Sequence, residues 1–164
     1  MKKGMNELEL LLEIIDQAYE RQAWHGPNLK GSLRGLTAKQ ASWRPARGRH
    51  NIWELVIHAA YWKYAVRRRL AGGKRGSFPL KGSNWFENPM RNGERAWKED
   101  LALLDETHRG LREAIAVLAP SRLHSSQPGS KVKNVTLIYG IASHDLYHAG
   151  QIQLLKRLQG RRSS

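Results

Sequence analysis

HDLYHAG, residues 144–150, sits inside a long apolar pattern near the end of the chain. Leu137, Ile141, His144, His148, Ile152 and Leu155 follow one another at intervals of 4, 3, 4, 4 and 3 residues. That spacing is the signature of one face of an α-helix. Both histidines therefore stand where a plain helical core would carry leucine, and both point inward. Burying two neutral imidazoles is costly unless each ring nitrogen finds a partner. Side chains four residues apart on a helix lie about 5–6 Å from each other, so two such rings can converge on one metal ion.

Three further segments share the helical period, and no segment alternates as a strand would. The first runs from about Asn6 to about Leu36, with Leu8, Leu11, Leu12, Ile15, Ala18 and Tyr19 in its stripe. The HGP triplet at 25–27 is expected to kink it or to end its first half, because proline lacks the amide proton and crowds the preceding turn. Thr37 and Gln40 have the spacing of a capping box over a short turn, TAKQA. The second long helix is expected to open at Asn51, with Glu54 three residues on, and to run to Gly72. The third runs from about Glu94 to Leu118, with Trp97, Leu101, Leu104, Leu111, Ile115 and Leu118 inward. The fourth is capped by Asn134 and ends near Gly160. The expected fold is all-α, a four-helix bundle in one domain spanning residues 1–164. A long loop separates the second and third helices. It carries Phe78, Trp85 and Phe86, so it is expected to fold over something. Up-down-up-down and up-down-down-up remain equally open.

Composition narrows the chemistry. The chain of 164 residues has no cysteine, which excludes disulfides, thiolate ligands and a cysteine nucleophile. No apolar run approaches the roughly 18 residues that a membrane span needs. Glu7, Glu9, Glu13 and Asp16 interrupt the apolar N-terminal segment, which no signal peptide tolerates, and a cytoplasmic protein is expected. Lys plus Arg number 28 against 14 Asp plus Glu, a formal net charge of +14. The basic residues are dispersed and no nucleic-acid motif accompanies them, so nucleic acid is set aside as the main partner. A cationic field also attracts small anions. Arg67, Arg68 and Arg69 form the dense basic cluster nearest in sequence to the second helix's histidine, and an anionic small-molecule substrate is the expected partner.

That histidine is His58. The inward stripe of the second helix reads Leu55, His58, Trp62 and Ala65 or Val66, so it too replaces an apolar residue. His58, His144 and His148 make a three-nitrogen set on two helices. Imidazole suits zinc and nickel, and three protein ligands leave positions for water or substrate. His25, beside the break in the first helix, is a candidate fourth ligand or pocket residue. His50 reads as structural, and His108 and His124 as surface residues. Glu54, one turn before His58, is a candidate catalytic base or an acceptor that orients a ligand, and equally a capping residue. Asp145 is a candidate to orient a ligand histidine from a neighbouring helix, but a surface salt bridge is the favoured expectation. Trp24, Trp53, Trp62 and Trp85 are candidates for the wall of an apolar pocket.

NIWELVIHAAYWKYAVRRRL (51–70) followed by HDLYHAGQIQLLKR (144–157) resembles the DinB-like superfamily of metal-binding four-helix bundles. The resemblance runs from roughly residue 6 to 158 and includes the FPLKGSNWFENP loop. It implies a histidine triad of His58, His144 and His148 holding a divalent ion, zinc or nickel, and frequently a homodimer. The group includes bacillithiol transferases, and its wider clan mycothiol-dependent enzymes. The reading implied is therefore a thiol-dependent S-transferase, with a low-molecular-weight thiol as co-substrate. A metal-dependent hydrolase is the alternative from a different class. A non-catalytic basic stress or binding protein is the third.

Overall fold

The computed structural model describes residues 5–73, 76, 78–86 and 92–160. Among them lie six α-helices and one 3₁₀ turn at Pro120–Arg122, with no strand. The long helices are α1 (Glu7–Tyr19), α4 (Ile52–Leu70), α5 (Gly93–Ala116) and α6 (Asn134–Gly160); α2 (Leu29–Leu33) and α3 (Ala38–Ser42) are single short turns.

Local chemistry sets the boundaries. Asn6, Thr37 and Asn51 each accept a hydrogen bond from the backbone N–H three residues on, and Glu9, Gln40 and Glu54 reach back to complete capping boxes. Of the two outcomes expected at the HGP triplet, a kink or an end to the first half, the helix takes the second, but it stops earlier than the triplet, at Tyr19. Gly26 adopts φ +102°, a conformation no helix contains. Asn28 then caps the separate helix α2. Two independent helices flank a real break.

Each long helix packs on two others: α4 on α5 and α6, and α1 on α5 and α6. Trp53 Nε1 donates to Asp100 near the start of both α4 and α5, and Lys63 meets His108 further along both, so these neighbours run in the same direction. Parallel neighbours need a crossover, which the chain makes between Leu70 and Gly93. Helix α1 opposes α5: Asp16 pairs with Arg112, and Tyr19 with Asp105. The arrangement is up-down-down-up, settling what periodicity left open. Lys156 and Gln153 of α6 bond to Ser32, which fastens α2 over one end.

The core has two apolar clusters. One contains Ile52, Trp53, Leu55, Val56, Trp97, Leu104, Ile152 and Leu155; the other contains Leu11, Ile15, Val66, Leu70, Leu111, Ile115, Ile138 and Ile141. Along α4, α5 and α6 the residues between the clusters include Lys63, His108 and Asp145, all buried. A polar layer crosses the middle of an otherwise apolar interior.

Candidate metal centre

His58 of α4 and His144 and His148 of α6 come together as the stripes require. Their ligand atoms all lie within 4.8 Å of one another. His144 Nε2 is 3.1 Å from His58 Nε2 and 3.1 Å from His148 Nε2. Imidazole nitrogens sharing one ion at about 2.0–2.1 Å stand roughly 3.0–3.4 Å apart, and both distances from His144 fit that spacing.

The outer nitrogens fix the tautomers. His58 Nδ1 lies 2.7 Å from the main-chain carbonyl of Asn84, and His148 Nδ1 lies 2.7 Å from Gln151 Oε1. Both partners are acceptors, so each Nδ1 carries the proton and donates it. Each Nε2 is left with a lone pair aimed at the centre. A proton on His144 Nε2 serves only one of the two, and buried His144 Nδ1 has no protein partner. One divalent cation would satisfy all three inner nitrogens together.

Electrostatics keep the rings neutral and available. Burial lowers the pKa of all three. For His144 the neighbouring histidines and Lys63 add to burial and bring it down to about 3. His148 is brought down to about 4 by burial and by His58 and His50, against the opposing bond from Gln151. For His58 burial outweighs the upward pull of its bond to Asn84.

Asn84 and Trp85, from the segment between α4 and α5, lie against this centre. Trp85 is sandwiched between His58 (centroids 3.9 Å apart, planes 10°) and His50 (3.6 Å, 8°). Asn84 sits at φ 62°, a left-handed conformation asparagine tolerates. From there its carbonyl holds His58 while its Oδ1 accepts from Trp62 Nε1 at 3.0 Å. Phe78 and Phe86 of the same segment pack on each other and on Tyr61 of α4.

Glu54 is buried, and its carboxylate is engaged by Arg44, by His50 Nδ1 at 3.0 Å and by the Asn51 N–H at 3.3 Å. Burial pushes its pKa up, but those bonds together bring it below the ordinary value. It touches the centre through His50, which stacks on Trp85, which stacks on His58. His25 is exposed and outside the histidine cluster.

Several expectations are overturned. Asp145 makes no surface salt bridge: it is 1% exposed and paired with Lys63, itself 0% exposed. His108 is buried, its Nδ1 3.3 Å from Lys63 Nζ and its ring stacked on Tyr19 at 3.8 Å. It lies four residues after Leu104 and three before Leu111, in phase with the stripe of α5. That phase was the available signal. Trp24 is fully exposed and walls nothing. Arg67, Arg68 and Arg69, adjacent in sequence in the last turn of α4, point in different directions, because successive helical residues diverge by about 100°. Arg67 lies against Gly110, Arg68 beside Tyr64 and Arg69 over Trp62. Lys63, missed entirely, shares a line with Ala59, Val66 and Leu70.

The family model of the DinB superfamily matches residues 22–152. The chain belongs to the DinB superfamily. No curated protein and no solved structure matches it. No helix of this superfamily member, among the described residues, is long and apolar enough to cross a membrane.

Proposed function

We propose that this DinB-superfamily protein is a four-helix-bundle metalloprotein in which His58, His144 and His148 hold a divalent ion, zinc or nickel, and that it acts as a thiol-dependent S-transferase. The observation that carries the metal reading is the convergence of one ring nitrogen from each of three histidines within 4.8 Å of one another, with the His58 and His148 tautomers set by Asn84 and Gln151. Bound there, a divalent ion stabilises a thiolate or lowers the pKa of a bound water toward about 7.

The residues of the chain then have separable tasks. The three histidines are neutral, so the full positive charge of the ion is kept for an anionic ligand. Trp85 and Trp62 shield the rings from water on two sides. His144, partly exposed, marks where a ligand enters. In the transfer, the thiol sulfur forms a bond to an electrophilic carbon, the leaving group departs with its electron pair, and the thiol proton passes to solvent. The chain has no cysteine, so a low-molecular-weight co-substrate supplies the thiol. The transferase reading stands ahead of hydrolysis because a hydrolase needs a free base at the bound water. Glu54, the candidate for that part, has its carboxylate committed to Arg44, His50 and Asn51. Its proposed role is to hold His50 against Trp85.

Calorimetry with zinc and nickel on untagged protein tests the metal. One ion per chain is expected, lost in His144→Ala and His148→Ala with helicity unchanged. A wild-type chain without a tight site sinks the reading. Product formation from a panel of small thiols and alkylating electrophiles then tests the transferase. Ester or amide hydrolysis by the loaded protein, with no conjugation, would favour the hydrolase instead.

A further inference from the structure

Arg69 is the member of the basic triplet that shares a face with His58. Residues 58, 62, 65 or 66, and 69 follow the helical period along α4. Its guanidinium carbon stands 6.0 Å from the centre of the Trp62 ring. That ring is 6.4 Å from His58 and 6.4 Å from His144. The guanidinium is therefore no more than about 12 Å from the His58 ring, with an indole between them. Trp62 is fixed by its bond to Asn84 and is half-buried, so one part of it stays open. Among the described residues Arg69 meets no carboxylate. A guanidinium resting on an aromatic face keeps its hydrogen-bonding edge free and loses little freedom on binding an anion.

We infer that the strip running from His144 past Trp62 to Arg69 binds the body of an elongated ligand, one with a donor group at the histidines, an apolar middle along Trp62 and an anionic end at Arg69. The inference rests on the metal reading of the triad and makes Arg69 a specificity residue. Neither Arg67, against Gly110, nor Arg68, half-buried beside Tyr64, occupies the strip. The ligand class follows from the chemistry of the strip. A short anion reaches the histidines but not Arg69. A long neutral chain covers Trp62 but leaves the guanidinium unpaired.

Length-matched hydroxamates test this on the full chain loaded with cobalt(II). Suberic acid monohydroxamate is compared with octanohydroxamate, and malonic acid monohydroxamate with propanohydroxamate. Affinity is read by calorimetry and by the cobalt absorption band. An exposed ion pair of this kind is worth about a 1.4- to fivefold preference, so the long acid should bind tighter than its neutral partner by a factor in that range. The short pair should show no such preference. The long-chain preference should vanish in Arg69→Gln and survive in Arg67→Gln, which removes the same charge elsewhere. Equal affinity of the long pair, or a preference that Arg69→Gln leaves intact, would overturn the inference while leaving the metal site standing. Cobalt content is measured before any hydroxamate is added. A chain that takes up no stoichiometric cobalt overturns the metal reading itself, and the inference with it.

Discussion

His58 donates its Nδ1 proton to the main-chain carbonyl of Asn84, 2.7 Å away and 26 residues along the chain. One residue in a left-handed conformation thus connects the crossover loop to the ligand set. The bond uses the main chain, so the side chain is dispensable for it, but the conformation is not. Asn84→Gly keeps φ positive and loses only the bond to Trp62. Asn84→Val forces a β-branched residue into a conformation costing about 1–2 kcal/mol. Metal affinity, measured by chelator competition, should stay within about threefold of wild type in the glycine variant. In the valine variant it should fall by about tenfold or more, the scale of losing a partner of a ligand histidine. Equal losses in both would show that the carbonyl is not what holds His58.

The buried Lys63–Asp145 pair gives a second test. Asp145 adjoins the ligand His144, and Lys63 lies five residues after His58, so the pair ties together the two helices that carry the triad. Lys63→Met or Asp145→Leu alone leaves a lone buried charge, and each should cost about 3–5 kcal/mol in urea unfolding. Replacing both should recover most of that loss, since paired removal can be neutral or stabilising. Additive losses in the double variant would mean the two do not act as a pair.

The polar layer is also where sequence reading stopped. The stripes of α4, α5 and α6 are legible because apolar residues recur every three or four positions, and the same stripes located all three ligand histidines. Lys63 and Asp145 fall on core-facing lines adjacent to those stripes. A lysine and an aspartate there look like solvated residues until the fold shows each supplying the other's counter-charge. His108 was in phase and was misread by residue type alone. The end of α1 was misplaced for another reason: the disruption begins at Glu20, several residues before the glycine and proline that signal it. The shared direction of α4 and α5 depends on the path of the crossover, which periodicity does not encode.

The expected homodimer can be tested on the outer faces of α1 and α6, which pack side by side. Leu10 and Ile14 on α1, and Tyr139, Leu154 and Leu158 on α6, are at least 38% exposed. An apolar surface of this kind on two adjoining helices is expected to be covered by a second copy. Sedimentation at micromolar concentration should give about twice the 18.7 kDa chain mass, and Leu10→Glu with Leu154→Glu should return it to one chain. A wild-type protein that sediments as a single chain would refute the dimer.

The depressed histidines make a prediction about acid. In the unfolded chain His144, His148 and His108 bind a proton near the ordinary value of about 6.5. In the folded, metal-free chain burial, with neighbouring charges adding to it, holds them down to about 3, 4 and 2. Between those limits the unfolded state carries more protons, so stability rises with pH through the window. It is fully present above about pH 6.5 and is lost as pH falls toward 4 and below. Each histidine contributes a slope near 1.4 kcal/mol per pH unit while only its unfolded form is protonated. The urea midpoint of the metal-free protein should therefore be flat above about pH 6.5 and fall steeply below it. His148→Ala should have a shallower fall than wild type, because one of the proton-binding differences is gone. Protons also compete with metal for the same nitrogens, and low pKa values weaken that competition. Metal should stay bound well below pH 6.5, with release read as free zinc by a chromogenic chelator. Release centred near pH 6.5, together with a urea midpoint indifferent to pH between 4 and 6.5, would mean that the triad is solvated rather than buried.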